Sequence, residues 1–196
     1  MKKSKELTIQ LIKSLLDCYH QSSNKQDYSI DKKNIKYILN QTLRQMWIPA
    51  NKLYVSVKAD QLWSMLTTGE HFVQFYKDAV VIKNRDAIDL DLYKGNAKLP
   101  YTKRTFYRNN KFSFREVFHD DHIIPLKLIV NKLIELEDIT DEKISNIISS
   151  ISVCRMLKSE DRAIPNKSAR VFDERKVIVE LYKEKAGIVI KDYPYV

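Results

Sequence analysis

The stretch from 111 to 125 constrains this chain more than any other, because a strand-like pattern runs there into four consecutive ionisable side chains. Apolar and polar residues alternate before residue 119, which predicts a half-buried strand. His119–His122 (His-Asp-Asp-His) follow, and Ile123, Ile124 and Pro125 come directly afterwards. An exposed turn favours Gly, Asn or Ser over two imidazoles and two carboxylates beside a β-branched pair. We therefore predict that this strand carries a chemical site.

Asp121 and His122 supply the two groups that metal-assisted hydrolysis needs. A carboxylate is a hard oxygen ligand for a divalent cation, and an imidazole is a base whose unperturbed pKa lies near neutrality. Together they suit hydrolysis of a phosphodiester, in which a base activates water and a metal ion stabilises charge on the phosphate and the leaving oxygen. A solvated acidic turn that happens to contain two histidines is the alternative interpretation.

The segment Asp121-His-Ile-Ile-Pro125, preceded by an aromatic strand, resembles the first half of the HNH nuclease motif, also called ββα-metal or His-Me finger. The resemblance implies that Asp121 binds one Mg²⁺ or Mn²⁺ and that His122 is the general base. It also implies that a second strand follows and that a helix then returns the remaining metal ligand. His119 would orient a phosphate or the catalytic base, and a packed structural histidine is the alternative for this residue.

The second half of the motif is expected after Pro125. Apolar residues at helical spacing predict a helix over 126–136 and another over 144–150. Residues 152–157 then predict the short second strand. A helix follows, with Ser159 as its N-cap and acidic residues in its first turn, where the helix dipole favours them.

The resemblance requires a metal ligand on this last helix, and three residues are candidates. Asp161 is preferred, Glu160 is its rival, and Asn166 is a third candidate that follows the helix-breaking Pro165. The register in which Asn146 is the structural asparagine of the family puts Arg155 at the ligand position, and a guanidinium cannot bind a cation. Charges that compensate the helix dipole are the structural alternative for both acids.

Composition predicts an α+β protein, and the resemblance implies a ββα-metal nuclease core with an added, mostly helical N-terminal part. The chain has 196 residues, of which 44% are hydrophobic, and only 3 Gly and 5 Pro, which disfavours a loop-rich all-β fold. Cys18 and Cys154 are far apart, so we expect neither a disulfide framework nor a structural zinc site. No long apolar span or signal peptide is found, which predicts a cytoplasmic protein with no membrane partner.

The positive charge of the chain predicts a polyanionic partner. The formal net charge is +9 and the sequence pI is about 9.4, and nucleic acid is the usual partner of such a protein. Basic residues interleaved with aromatic ones precede the predicted catalytic strand, and five of them are predicted to contact the phosphate backbone of double-stranded DNA. These residues are Lys103, Arg104, Arg108, Lys111 and Arg115.

The rest of the chain predicts two amphipathic helices, over 2–19 and from Asp31 to a point before Pro49, then a strand over 53–57 and a helix over 60–66. Near the C-terminus the pattern predicts a helix over 171–185, capped by Gly187, and a closing strand over 188–195. A boundary near residue 95 would separate an N-terminal part (1–95), for target recognition or dimerisation, from an HNH-like nuclease domain (96–196).

These observations lead to one functional hypothesis and one alternative of another class. The hypothesis is a metal-dependent endonuclease of HNH type that acts on DNA, by resemblance a restriction or phage-defence enzyme. A single such centre cuts one strand at a time, so cleavage of both strands would need a homodimer or a partner subunit. The alternative is a non-catalytic, basic nucleic-acid-binding protein. A different nuclease class, PD-(D/E)xK, is disfavoured: Glu180 with Lys183, or Asp173 with Lys176, offers its carboxylate and lysine, but the spacing is wrong and the acids lie in a predicted helix.

Overall fold

The computed structural model describes residues 2–22, 29–50, 53–67, 72, 79–81, 111–166 and 170–191. Its elements, in chain order, are α1 (Lys2–Gln21), α2 (Ser29–Ala50), β1 (Leu53–Val55), α3 (Val57–Leu66), β2 (Ala79–Val81), β3 (Lys111–Ser113), α4 (Phe114–Val117), β4 (Phe118–His122), α5 (Leu126–Ile134), α6 (Asp141–Ile148), β5 (Val153–Leu157), α7 (Lys158–Ala163), α8 (Glu174–Lys176) and a π-helix (Val177–Lys185). The protein is therefore mixed α+β, mostly helical with a small three-stranded sheet, which confirms the predicted class. None of the described helices is long and apolar enough to cross a bilayer.

The chain divides into two compact units. Unit 1 comprises Met1–Asn51, His122–Ser152 and Val171–Glu174, and unit 2 comprises Lys52–Asp121, Val153–Arg170 and Arg175–Val196. Each unit therefore draws on segments that are distant in sequence. The predicted boundary near residue 95 lies outside the described residues and stays a prediction.

Unit 1 is built from helices α1, α2, α5 and α6, which share one hydrophobic core. Each helix contributes fully or nearly fully buried side chains spaced four residues apart, the spacing that places them on one helical face. Examples are Ile12 and Leu16, Leu39 and Leu43, Ile129 and Leu133, and Ile144 and Ile148. The predicted helices over 2–19, 126–136 and 144–150 are confirmed. Helix α2 continues to Ala50, past Pro49, where the sequence predicted its end.

Unit 2 contains a three-stranded sheet in the order β1-β5-β4, and a separate pair of strands, β2 and β3. Strands β1 and β5 are parallel, with Leu53 opposite Val153 and Val55 opposite Arg155. Every residue of the central strand β5 is buried, as expected of a strand covered on both faces. The strand predicted over 152–157 is therefore present, close to its predicted bounds, and it leads directly into helix α7.

The single strand predicted before His119 is replaced by three short elements. Strand β3 ends at Ser113, one helical turn forms α4, and β4 begins only at Phe118. The reason lies in the spacing of the large apolar residues. Phe114, Val117 and Phe118 are three and four positions apart, which is helical spacing, and all three are buried. Phe114 and Phe118 pack beside Trp63 and Phe72, with ring centroids 4.9 Å apart for Phe72 and Phe118.

The C-terminal segment is mainly helical. The π-helix follows α8 without interruption and covers much of the helix predicted over 171–185. Gly187 adopts a left-handed φ of 65°, and its amide donates a hydrogen bond to the carbonyl of Lys183 over 3.2 Å, as predicted for a C-terminal cap. The strand predicted over 188–195 is represented in the described residues by one bridge, between Ile190 and Ser56.

Candidate metal site

Strand β4 separates its polar side chains onto two faces. Successive side chains of a strand point to opposite sides, so His119 and Asp121 share one face, and Asp120 and His122 share the other. The side chain of His119 is 43% exposed, whereas that of Asp121 is 12% exposed. The four ionisable residues that stand together in the sequence therefore cannot all contribute to one site.

Helix α7 brings a third group to the face that carries His119 and Asp121. Asp161 lies in the first turn of this helix, which begins directly where β5 ends. Its Oδ1 lies 3.8 Å from Nε2 of His119. One ligand atom from each of His119, Asp121 and Asp161 lies within 4.8 Å of the others. Two carboxylates and an imidazole at this spacing can hold one divalent cation.

The Asp121 carboxylate is also held by two side chains from the C-terminal part of unit 2. Arg170 donates to both of its oxygens, with Nη1 3.1 Å from Oδ1 and Nη2 2.6 Å from Oδ2. The Tyr182 hydroxyl donates to Oδ2 over 2.7 Å. Both side chains are almost completely buried. This bidentate, charge-assisted pair fixes the orientation of Asp121.

The acceptor capacity of Asp121 shows whether an ion fits. A carboxylate oxygen has two lone pairs. Among the described residues, Oδ2 accepts from Arg170 and Tyr182, and Oδ1 accepts only from Arg170. One lone-pair direction of Oδ1 is therefore available for a cation, so the donor set can bind a metal ion without breaking the contact with Tyr182.

The charges around Asp121 perturb its neighbours. Burial lowers the pKa of Arg170, but the hydrogen bond to Asp121 and the negative charges of Asp121 and Asp161 act more strongly together, so the net pKa is raised. Burial, followed by the charge of Asp121, raises the pKa of Tyr182 well above its ordinary value. Arg170 is therefore a permanent cation here, and Tyr182 is a neutral donor.

Asp120 has a structural partner. The Arg155 side chain, on strand β5, donates from Nε to Oδ1 over 2.8 Å and from Nη2 to Oδ2 over 3.0 Å. Its guanidinium also lies 4.8 Å from the ring centroid of Phe114 and donates to the backbone carbonyl of Phe72. Arg155 is 1% exposed, so this ion pair anchors β4 to the neighbouring strand from inside the unit.

Glu160, the rival metal ligand, makes structural contacts instead. Its Oε2 accepts from the Ser56 hydroxyl over 2.6 Å and from the backbone amide of Leu157 over 2.9 Å. The second bond is the helix-capping contact that an acid at this position makes with the start of its own helix. Glu160 is 6% exposed, and it lies outside the group formed by His119, Asp121 and Asp161.

The other predicted site residues are distributed as follows. His122 ends β4, belongs to unit 1 and has its Nε2 excluded from solvent; it is not part of the group of three. Asn166 is exposed, with a left-handed φ of 44°. Lys111 lies in β3, and Arg115 is exposed on α4. Lys103, Arg104 and Arg108 lie outside the described residues.

Sequence reasoning missed Arg170 and Tyr182 as partners of Asp121. They lie 49 and 61 positions away from it, and a separation of this size leaves no periodicity or motif to read. The surplus of basic residues gave no reason to prefer Arg170 over the others.

In comparisons with known proteins, no family model, curated protein or solved structure matches the chain.

Proposed function

We propose that this protein is a metal-dependent endonuclease that hydrolyses phosphodiester bonds of DNA. The observation that carries the proposal is the convergence of His119, Asp121 and Asp161, from one strand and one helix, on a space that fits one divalent ion. The order of β4, β5 and α7, strand then strand then helix, agrees with the HNH resemblance. In the sequence, helices α5 and α6 separate the two strands.

In this proposal, Asp121 and Asp161 are the anionic ligands of one Mg²⁺ or Mn²⁺, and His119 is the third ligand. The ion supplies charge stabilisation at the phosphate and at the departing 3′ oxygen. His119 thereby takes a role different from the orienting one that the resemblance implies. His122, the general base that the resemblance implies, lies on the opposite face of β4 from the three ligands, so it has no assigned role at the metal ion. Arg170 and Tyr182 orient Asp121. Arg155 binds Asp120 and so fixes β4, the strand that carries His119 and Asp121.

The charge of the site supports a phosphodiester as substrate. Asp121, Asp161 and Arg170 together leave one negative charge when His119 is neutral. A divalent ion converts this into one positive charge, which matches the single negative charge of a phosphodiester. The net charge of +9 would draw a long polyanion to the protein. The restriction or phage-defence role follows from the resemblance alone.

Incubation of purified protein with supercoiled plasmid and Mn²⁺ or Mg²⁺ tests the proposal. We expect nicked DNA, and a loss of cleavage of about 100-fold or more in Asp121→Asn and in Asp161→Asn, because each removes an anionic ligand. Asp138→Asn is the matched control, since Asp138 is an exposed acid of unit 1 that pairs with Lys143. Undiminished cleavage by Asp161→Asn would contradict the proposed site.

One observation favours the non-catalytic alternative. Arg170 already neutralises Asp121, so this buried carboxylate has a counter-charge without a metal ion. A basic protein of this kind would bind DNA equally well with and without divalent ions and would leave the plasmid intact. Metal-independent binding with no nicking in either ion would therefore favour a nucleic-acid-binding protein over a nuclease.

A further inference from the structure

Arg170 places a permanent positive charge inside the group that would bind a metal ion. We infer that Asp121 divides its two oxygens between two cations: Oδ2 stays with Arg170 and Tyr182, whereas Oδ1 exchanges its contact with Arg170 for a divalent ion. Arg170 thereby sets the affinity of the site for the ion. The inference rests on the proposed metal site and adds a regulating residue to it.

The two contacts of Arg170 with Asp121 are unequal. The Nη2–Oδ2 distance is 2.6 Å, and Tyr182 reinforces the same oxygen over 2.7 Å. The Nη1–Oδ1 distance is 3.1 Å, and no other described side chain donates to that oxygen. The longer and unsupported hydrogen bond is the one that opens more easily. Oδ1 is therefore the oxygen on which an ion can replace a donor.

Electrostatic repulsion makes the exchange necessary. An ion bound to Oδ1 at an ordinary ligand distance of about 2.1 Å would lie only about 4.5 Å from Nη1 if both contacts persisted. Like charges at that separation repel strongly where water is excluded, and the Arg170 side chain is only 3% exposed. Rotation of Nη1 away from Oδ1 relieves this repulsion while the contact with Oδ2 is kept. The freed N–H group can then donate to an anion such as a phosphate oxygen.

Four proteins, compared in Mn²⁺ titrations followed by the EPR signal of free Mn²⁺, separate charge from hydrogen bonding. Arg170→Gln removes the charge but keeps an N–H donor, and we expect Mn²⁺ to bind about tenfold or more tightly than in the wild type. Arg170→Lys keeps the charge, so we expect a change of about threefold or less. Tyr182→Phe removes a neutral donor that orients the same carboxylate, so we expect weaker Mn²⁺ binding and not tighter binding. Equal or weaker Mn²⁺ binding by a folded Arg170→Gln variant would overturn the inference.

A second measurement uses the wild-type protein, in case Arg170→Gln does not fold. Guanidinium resonances of arginine-labelled protein are followed by NMR during titration with Mg²⁺. We expect the Arg170 signals to shift as the Nη1 contact opens. Those of Arg155, a similarly buried arginine that binds both oxygens of Asp120 through Nε and Nη2, should stay in place and so provide an internal control. Unchanged Arg170 signals at saturating Mg²⁺ would refute the exchange.

These measurements read ion binding and not cleavage, so they separate the inference from the proposed function. Tighter Mn²⁺ binding by Arg170→Gln with no nicking of plasmid by the wild type supports the exchange and contradicts the nuclease. Nicking by the wild type with unaltered Mn²⁺ affinity in Arg170→Gln supports the nuclease and contradicts the exchange. If neither protein binds Mn²⁺, both ideas are wrong.

Discussion

Asp121 and Asp120 are adjacent in the sequence, yet each is paired with a different buried arginine. Arg170 holds Asp121 and Arg155 holds Asp120, because neighbouring side chains of a strand lie on opposite faces. One carboxylate therefore faces His119 and Asp161, while the other ties β4 to β5. Identical side chains thus acquire different roles from their position in the strand.

The same alternation gives the two histidines different expected roles. His119→Ala should reduce the affinity for Mn²⁺ by about tenfold to 100-fold, since it removes a ligand. His122→Ala should leave Mn²⁺ affinity within about threefold, because His122 lies outside the ligand group, and should reduce cleavage less than His119→Ala does. Calorimetry with Mn²⁺ and plasmid nicking, measured on both variants, check this prediction. A larger loss of Mn²⁺ affinity in His122→Ala than in His119→Ala would reverse the assignment.

Cys154 leads to a prediction about alkaline pH. Its thiol is buried in β5, and burial, then the charges of Asp121 and the neighbouring acids, raises its pKa well above 9.0. The unfolded chain releases the thiol proton above its ordinary pKa, whereas the folded protein keeps it. Above about pH 9, the free energy of unfolding should therefore fall by about 1.4 kcal/mol per pH unit from this group alone.

Urea unfolding of the wild type and of Cys154→Ala at pH 7, 9 and 10 measures this effect. At pH 7 the difference in unfolding free energy between the two proteins contains the packing and the weak hydrogen bond to the Arg155 carbonyl that are lost with the sulfur atom. We expect the wild type to lose stability relative to the variant as the pH rises, because the variant has no thiol to ionise. A difference that stays constant from pH 7 to pH 10 would contradict the prediction.

At the scale of elements, the sequence predicted what depends on local pattern. The helices of unit 1 and strand β5 were anticipated from local pattern. Helix α7 was anticipated from Ser159 as its N-cap and from an acidic first turn; it contains Asp161 as expected, but it begins at Lys158 with Leu157 as its N-cap. The region before His119 was misread because Phe114, Val117 and Phe118 fit both an irregular strand and one helical turn. Their packing beside Trp63 and Phe72 favours the turn, and such tertiary contacts are not visible in a local pattern.

Ser56 connects two elements through one hydroxyl group. It accepts from the amide of Ala59 as N-cap of α3 and donates to the buried carboxylate of Glu160 at the start of α7. Ser56→Ala should lower the free energy of unfolding by about 1–3 kcal/mol, because it removes the cap and leaves the carboxylate with one donor fewer. Urea unfolding measures the change.

Ser64→Ala is the control for this prediction, because Ser64 is exposed on the same helix and, within the described part of the chain, its hydroxyl donates only to the carbonyl of Asp60. We expect it to cost less than about 0.5 kcal/mol. Mn²⁺ affinity should be unaltered in a folded Ser56→Ala variant, because Glu160 is a structural acid in this structure. A loss of Mn²⁺ binding there would restore Glu160 as a metal ligand.

At the scale of the whole molecule, the sequence could not predict how the chain is divided. Each unit contains several separate segments, and the boundary between them falls within β4, between Asp121 and His122. A linker or a shift in composition can mark a boundary between two continuous halves of a chain. It does not mark a boundary that falls inside a strand. Composition did indicate the mixed α+β class, and the net charge follows from counting residues. Both are properties of the whole chain that do not depend on where its units divide.

That charge yields a prediction about DNA binding that does not depend on any catalytic residue. The basic run, Lys103, Arg104, Arg108, Lys111 and Arg115, is predicted to contact the phosphate backbone. The logarithm of the affinity for duplex DNA should therefore fall linearly with the logarithm of salt concentration. Replacing Arg104 and Arg108 by Gln should flatten the slope by about 1 for each arginine that contacts a phosphate. Lys33→Gln combined with Lys127→Gln removes the same charge from exposed positions of unit 1 and should leave the slope nearly unchanged. Fluorescence anisotropy over a series of salt concentrations measures all three proteins, and equal slopes would show that net charge, and not the basic run, attracts the DNA.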